Sequence, residues 1–244
     1  MTIICAEEVG VKFPWRKERV MTLRRMLVHI LNQRNMPKRR WFWALRGVSF
    51  SLNQGEILGV IGRNGAGKTT LLRTIAGIYP PDEGYLWVGG TISSLLSLGA
   101  GFQPELSGLE NIYINGILMG FSEEEIKKHV RQIIQFSELE QFITSPMKTY
   151  SSGMIARLGF SIAVHLKRDI MLIDEILGVG DVKFREKSRK KLEELMSEGR
   201  TIIMVSHNMN SILGFSTRAL WLDKGTVRAY GEPNEVVQQY LQSR

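Results

Sequence analysis

Residues 62–69 have the sequence G-R-N-G-A-G-K-T, which fits the phosphate-binding pattern G-x-x-x-x-G-K-[ST]. Glycines in such a loop let successive backbone N–H groups turn towards phosphate oxygens, and the helix that follows directs its positive end at them. Lys68 is placed to reach the β and γ phosphates of a nucleotide, and the Thr69 hydroxyl to ligate Mg²⁺. The segment therefore predicts a site for a nucleoside triphosphate.

A second candidate group is the pair Asp174 and Glu175, which directly follows the apolar strand pattern Ile170 to Ile173. At the carboxyl end of a strand, Asp174 is expected to hold Mg²⁺ through water and Glu175 to polarise an attacking water. Acids at strand ends are also common as plain solubilising caps. The combination with the phosphate loop favours the functional interpretation, because both motifs serve one metal–phosphate centre.

Two further motifs carry a family resemblance. Residues 150–154, Y-S-S-G-M, open a helical pattern, and His207 follows the apolar strand pattern Thr201 to Val205. In their order and spacing along the chain, the four motifs resemble the phosphate loop, the signature motif, the acidic strand and the switch histidine of ABC-type ATPases. The resemblance covers the chain from Ile3 to about Gly231.

The resemblance implies the ABC ATPase fold: an α/β P-loop NTPase (RecA-like) core with a parallel sheet, an antiparallel β subdomain and an inserted α-helical subdomain at about 105–166. It implies ATP and Mg²⁺ as cofactors, with Thr69 and Asp174 at the metal and Glu175 and His207 in catalysis. The residues assigned to the nucleotide are Gly62, Asn64, Gly65, Ala66, Gly67, Lys68, Thr69, Thr70, Trp43, Ser151 and Gly153. Trp43 is assigned to the adenine, with Phe13, Trp15, Trp41 and Phe42 as alternatives.

The resemblance also implies a head-to-tail homodimer. Ser151 and Gly153 of one copy are expected to meet the γ phosphate held by the other copy, and Asp181 matches the loop that communicates across the dimer. The signature motif departs from the usual L-S-G-G-Q, since Ser152 replaces a glycine and Met154 replaces the glutamine. The glutamine usual between the two subdomains is not in register either, and Gln103 is the nearest candidate.

The elements that must hold these groups are indicated by periodicity. Continuous apolar strand patterns at Ile57 to Ile61, 170–173 and 201–205 alternate with helical patterns, which favours a parallel sheet covered on both faces. Shorter strand patterns at 3–13 and 48–52 precede them. Ser122 and Glu125 predict a capping box that opens a helix ending near Gln135. A short helix is expected at about 234–241.

The positive charge is concentrated in one segment. The net charge is +8, and eleven basic residues but one acid lie between Lys12 and Arg46. Within this segment, the helical spacing of Leu23, Met26, Leu27, Ile30 and Leu31 predicts an amphipathic helix at about 20–33. We expect it to lie at an anionic membrane surface or lipid-linked glycan. The alternative is a helix packed on its own domain.

Composition limits the class of protein. The 244 residues contain 43% hydrophobic and 23% charged residues, which is typical of a folded globular chain and predicts one domain over 1–244. A single cysteine, Cys5, argues against a secreted disulfide scaffold. The start of the chain lacks the pattern of a signal peptide, so we expect a cytoplasmic location.

The signature variant and the basic insertion resemble those of bacterial polysaccharide exporters. The resemblance implies an ATPase subunit that pairs with integral membrane permease subunits and is peripheral on the cytoplasmic face of the inner membrane. O-antigen is the principal substrate expected, with teichoic acid or capsule as alternatives, and no carbohydrate-binding domain or nucleic-acid partner is expected. A nucleic-acid-associated ABC protein remains an alternative, as does a regulator that binds nucleotide without turnover, against which Glu175 and His207 argue.

Overall fold

A computed structural model describes residues 1–15, 40–94, 101–174 and 181–243. The predicted amphipathic helix, Glu175 and the segment 178–180 lie outside these residues. The strands are β1 Thr2–Pro14, β2 Trp41–Asn53, β3 Ile57–Ile61, β4 Glu83–Val88, β5 Ile92–Ser94, β6 Ile170–Asp174, β7 Thr201–Val205, β8 Arg218–Asp223 and β9 Thr226–Gly231. The helices are α1 Lys68–Ile75, α2 Gly108–Leu118, α3 Glu123–Ser137, α4 Ser152–His165, α5 Val182–Ser197, α6 Met209–Phe215 and α7 Pro233–Gln242.

The central sheet has six strands in the order β5-β6-β7-β3-β8-β9. All its pairs are parallel except β8 with β9. Every residue of β3 and β7 is buried, because helices α4 to α7 cover one face of the sheet, and α1 with the smaller sheet covers the other. The predicted parallel sheet is confirmed, and its three central strands, β6, β7 and β3, run side by side.

The smaller sheet is antiparallel and has the order β2-β1-β4. Its strand β2 is longer than the predicted 48–52, because the residues from Trp41 to Leu45 also pair with β1. In this register Lys12 lies opposite Trp43, and Phe13 opposite Phe42. The sheet packs its apolar face against β3, β7 and α1 in one shared core.

The region between β5 and β6 is helical and has a core of its own, built from residues such as Ile112, Ile133 and Leu158. The predicted capping box is confirmed, since Ser122 and Glu125 close the N-terminus of α3 reciprocally. A second box, Ser107 with Glu110, opens α2. Among the described helices, none is both long and apolar enough to cross a membrane.

Candidate functional site

The loop that joins β3 to α1 is pressed against neighbouring backbone. Gly67 has a φ of +106°, and a Cβ added there would lie 2.7 Å from the Ala44 carbonyl oxygen. A Cβ at Gly62 would lie 2.2 Å from the Leu222 carbonyl oxygen. These two positions need glycine, because any side chain would displace backbone from a neighbouring strand or loop. The loop is thereby held close against the backbone of β2 and β8.

Only 7% of the surface of Lys68 is exposed to solvent, and its side chain folds back over this loop. Its Nζ donates to the Gly62 carbonyl oxygen at 2.8 Å and to the Arg63 carbonyl oxygen at 3.1 Å. Helix α1 starts with no side-chain cap at Gly67. The ammonium group and the positive end of a helix therefore converge on one loop, which is the arrangement that attracts an anion.

The acidic strand lies within reach of the same loop. Asp174 ends β6, and its Oδ2 accepts a hydrogen bond of 3.2 Å from Thr69 Oγ1. A carboxylate and a hydroxyl side by side are hard oxygen donors of the kind that Mg²⁺ prefers. The residues present at this point therefore fit a magnesium ion.

His207 follows β7 and lines the same pocket as the loop. The pocket has a volume of about 520 Å³ and lies at the carboxyl ends of β6, β7 and β3. Ligands of open α/β sheets bind at such carboxyl ends. The described residues that line it are Phe13, Phe42, Ala44, Asn64, Gly65, Ala66, Gly67, Lys68, Thr69, Thr70, Asp174, Val205 and His207.

Trp43, the aromatic residue assigned to the adenine, is not among the described residues that line this pocket. Phe42 and Ala44 line the pocket, and Trp43 projects from the other face of β2, because neighbouring residues of a strand point to opposite faces. There the Trp43 ring lies 5.2 Å from Lys12 Nζ and packs against Gly10. Of the aromatic residues named from the sequence, Phe42 and Phe13 are therefore the two that line the described pocket.

The signature residues form a second, separate surface. Ser151 caps α4 by accepting a hydrogen bond of 3.2 Å from Met154 N, and it is exposed. A Cβ added at Gly153 would meet nothing closer than Ser151 Oγ at 3.8 Å. Met154, which stands in place of the usual glutamine, packs against the core of the helical region. Neither Ser151 nor Gly153 is among the described residues that line the pocket of this chain.

Two further residues lie outside the described lining of the pocket, one of them named from the sequence and the other not. Gln103 is exposed and is not among the described lining residues; its backbone is held by Asn111, whose Oδ1 accepts from Gln103 N at 2.7 Å. Arg157, on α4, forms ion pairs with Glu138 and Asp181. A single arginine within an otherwise apolar helical run was the only available signal for it.

Comparison with known proteins agrees with this geometry. The family profile described as "ABC transporter" matches residues 45–178. The O-antigen export system ATP-binding protein RfbB of Klebsiella pneumoniae is 42% identical over 206 residues, which is 84% of this chain and 84% of that protein. This chain belongs to the ABC transporter family.

Other relatives in the ABC transporter family are longer. The O-antigen export system ATP-binding protein RfbB of Myxococcus xanthus is 48% identical over 82% of this chain and 46% of that protein. The teichoic acids export ATP-binding protein TagH of Lactococcus lactis is 48% identical over 84% of this chain and 44% of that protein. The chain thus spans about half the length of these two relatives.

A solved structure supports the fold assignment. A dimeric ATP-binding cassette in a post-hydrolysis state, bound to ADP and Pi, superposes with a TM-score of 0.72 and 22% identity. The match covers 95% of this chain and 99% of that cassette. The predicted fold class, a P-loop core with an antiparallel β subdomain and an inserted helical region, is therefore confirmed.

Proposed function

We propose that this chain binds ATP with Mg²⁺ in the pocket at the carboxyl ends of β6, β7 and β3, and hydrolyses it. The observation that carries the proposal is the convergence of Lys68, Thr69, Asp174 and His207 on one pocket from three neighbouring strands. Phosphoryl transfer to water needs a cationic site for the phosphates, oxygen ligands for a metal ion and polar groups around the transferred phosphate.

Within this proposal the loop and α1 bind the phosphates. Lys68 exchanges its two carbonyl contacts for phosphate oxygens, which are stronger acceptors. The backbone N–H groups of the loop and of the first turn of α1 complete the cradle; they belong to Gly62, Asn64, Gly65, Ala66, Gly67, Lys68, Thr69 and Thr70. Adenine packs at the aromatic edge formed by Phe13 and Phe42, in place of the predicted Trp43.

Thr69 and Asp174 would hold Mg²⁺. When bound, the ion neutralises the phosphate charge that develops in the reaction. Glu175, the next residue along the chain from Asp174, polarises the attacking water, and His207 donates to the γ phosphate. These two assignments rest on the family resemblance, and His207 also lies in the pocket.

Turnover in this proposal needs two copies. Ser151 is exposed at the N-terminus of α4 and can still donate its hydroxyl hydrogen while it accepts from Met154 N. Ser151 and Gly153 would contact the γ phosphate bound to the opposite copy. The dimeric assembly of the superposed cassette supports this arrangement.

The coupled process is the export of a lipid-linked polysaccharide. The names of the relatives, which export O-antigen or teichoic acids, support this class of substrate. O-antigen is our principal proposal, and teichoic acid or capsule are the alternatives. Two copies would dock on two integral membrane permease subunits at the cytoplasmic face of the inner membrane, with the basic segment between Lys12 and Arg46 facing anionic lipid or glycan.

The Glu175→Gln variant tests the chemistry. ATP binding should persist, because the phosphate loop is intact, and the turnover number should fall by about 100-fold or more, because the water loses its base. Dimers should accumulate with ATP. Glu140→Gln, an exposed acid on the helical region, is the matched control and should leave turnover unchanged. Hydrolysis by Glu175→Gln at the parental rate would contradict the assignment.

The same variant tests the biological process in cells. Cells that carry only Glu175→Gln should stop displaying the surface glycan and accumulate it on its lipid carrier inside. The chemical composition of that glycan distinguishes O-antigen from teichoic acid and capsule. Normal glycan display, combined with ATP turnover stimulated by nucleic acid in the purified chain, would favour the nucleic-acid-associated alternative.

A further inference from the structure

Arg157 lies at the meeting point of three helices. Its Nη2 donates to Glu138 Oε2 at 2.9 Å and lies 3.4 Å from Asp181 Oδ2. The guanidinium carbon lies 4.7 Å from the centre of the Phe184 ring. The side chain is 17% exposed, and its buried Nε has no hydrogen-bond partner in the part of the chain that the structure describes.

Each carboxylate that Arg157 contacts ends or begins a helix. Glu138 is the C-cap of α3, with a φ of +58°, and it also accepts a hydrogen bond of 2.9 Å from Lys187 on α5. Asp181 is the N-cap of α5, where its Oδ1 accepts from Phe184 N at 2.9 Å. Arg157 itself is in the second turn of α4. One guanidinium group therefore fixes the end of α3 and the start of α5 relative to α4.

The electrostatics keep both carboxylates charged. The hydrogen bond from Lys187 and the nearby charges of Lys187 and Arg157 hold the pKa of Glu138 below its usual value. The hydrogen bond from Phe184 N, with the charge of Arg157, does the same for the pKa of Asp181. The cluster is therefore ionised at neutral pH, and Arg157 is shared between two anions from different elements.

The cluster lies between two segments that the proposed reaction uses. Helix α4 begins at the exposed Ser151, and Asp181 closes the stretch of sequence that starts with Asp174 and Glu175. We propose that Arg157 is a positioning residue, which couples the Ser151 end of α4 to the chain that follows the acidic strand. The inference rests on the proposed function, because that function brings together the nucleotide pocket and the exposed Ser151 surface, and Arg157 would couple the two.

A role in stability alone does not account for this arrangement. A partly buried ion pair loses much of its attraction to the cost of removing charge from water, and apolar residues of similar volume often stabilise a protein equally well. The unpartnered Nε adds to that cost. The guanidinium group directs its N–H donors at two acceptors at once in a fixed geometry, which a methionine side chain cannot do.

The test compares Arg157→Met, Arg157→Lys, Asp181→Asn and the Arg157→Met/Asp181→Asn double variant in ATPase assays. Asparagine caps helices about as well as aspartate, so Asp181→Asn removes the charge but keeps the cap. We expect Arg157→Met to lower kcat about 10- to 100-fold, the size of effect produced by a small misplacement of reacting groups. KM for ATP and the melting temperature should stay near those of the parent chain, and Arg157→Lys should recover part of kcat. Arg228→Met, which breaks an exposed ion pair with Asp223, is the control.

The double variant carries the decisive result. If Arg157 acts through Asp181, the double variant should be no slower than the slower single variant. If the losses of kcat in the two single variants multiply in the double variant, the coupling is overturned. A kcat of Arg157→Met within twofold of the parent would also overturn it. A loss of kcat that follows a loss of melting temperature would assign Arg157 a structural role. A parent chain that binds ATP but does not hydrolyse it fails the proposed function instead, before any variant is compared.

Discussion

The N-termini of α1 and α4 present two different solutions to the same problem, the unpaired N–H groups of a helix start. Helix α1 follows Gly67 and has no side-chain cap, while α4 is capped by the hydroxyl of Ser151. The start of α1 lies inside a pocket that its own chain completes with Asp174 and His207. The start of α4 lies on an exposed surface.

The difference shows which half of the chemistry a single chain can assemble. An uncapped helix start beside a buried lysine is ready for an anion that comes from solution. A capped helix start is stable without a bound anion, so α4 can remain folded in the absence of a second copy of the chain. Binding is therefore expected of the separate chain, and turnover of the pair.

The largest effect is expected from Lys68→Ala. Loss of its ammonium group should weaken ATP binding by the separate chain about 100-fold, the equivalent of one or two charge-assisted hydrogen bonds. Isothermal titration measures this, with Lys148→Ala, an exposed lysine paired to Glu105, as the control. ATP affinity within threefold of the parent would mean that the start of α1 is not the phosphate site, and the contrast with α4 would fail.

An intermediate effect is expected from alanine at the two glycines. Gly67→Ala should lower the free energy of unfolding by about 1–3 kcal/mol, because Gly67 has a left-handed backbone and its Cβ would press on the Ala44 carbonyl. Gly153→Ala should not lower that free energy, since its Cβ would meet nothing closer than 3.8 Å and alanine favours a helix, yet it should reduce ATP turnover in the dimer. Urea denaturation and ATPase assays measure the two quantities. Equal destabilisation at both positions would remove the distinction between the pocket and the open surface.

The smallest effect is expected at the cap of α4. Ser151→Ala should lower the free energy of unfolding by about 1 kcal/mol, the usual contribution of an N-cap, and leave ATP affinity of the separate chain unchanged. Ser151→Asn should restore the stability, because asparagine also caps, but not the turnover of the dimer. Full turnover in Ser151→Asn would show that capping is the whole role of Ser151.

The sequence predicted best what depends on neighbouring residues. The phosphate loop, the strand Ile57–Ile61 and the capping box at Ser122 are each defined by fewer than ten consecutive residues, and the structure has all three. The aromatic side chain of the site could not be chosen from the sequence, because Trp41, Phe42 and Trp43 are consecutive aromatic residues. Alternation in a strand separates their faces, but only the pairing of β2 with β1 decides which face meets the loop.

Arg157 could not be predicted for a different reason. Its partners, Glu138 and Asp181, lie on either side of it along the chain and are brought to it only when α3, α4 and α5 pack together. Nothing in the local spacing of the three residues indicates their contact. Long-range ion pairs of this kind depend on tertiary structure, whereas a glycine-rich loop carries its geometry in its own residues.

The pairing at the far end of β1 and β2 has a consequence for the lengths of chain that can join the two strands. Pro14 lies opposite Trp41, and Trp15 N donates to the Arg40 carbonyl oxygen at 2.7 Å, so the two ends of the stretch 16–39 leave the sheet side by side. Closing a loop on fixed neighbouring ends becomes only slightly harder as it grows, by about 0.6 kcal/mol for each doubling of length. A change in the length of this stretch is therefore expected to cost little free energy of folding, provided that the pairing of Phe13 with Phe42, which line the nucleotide pocket, is kept.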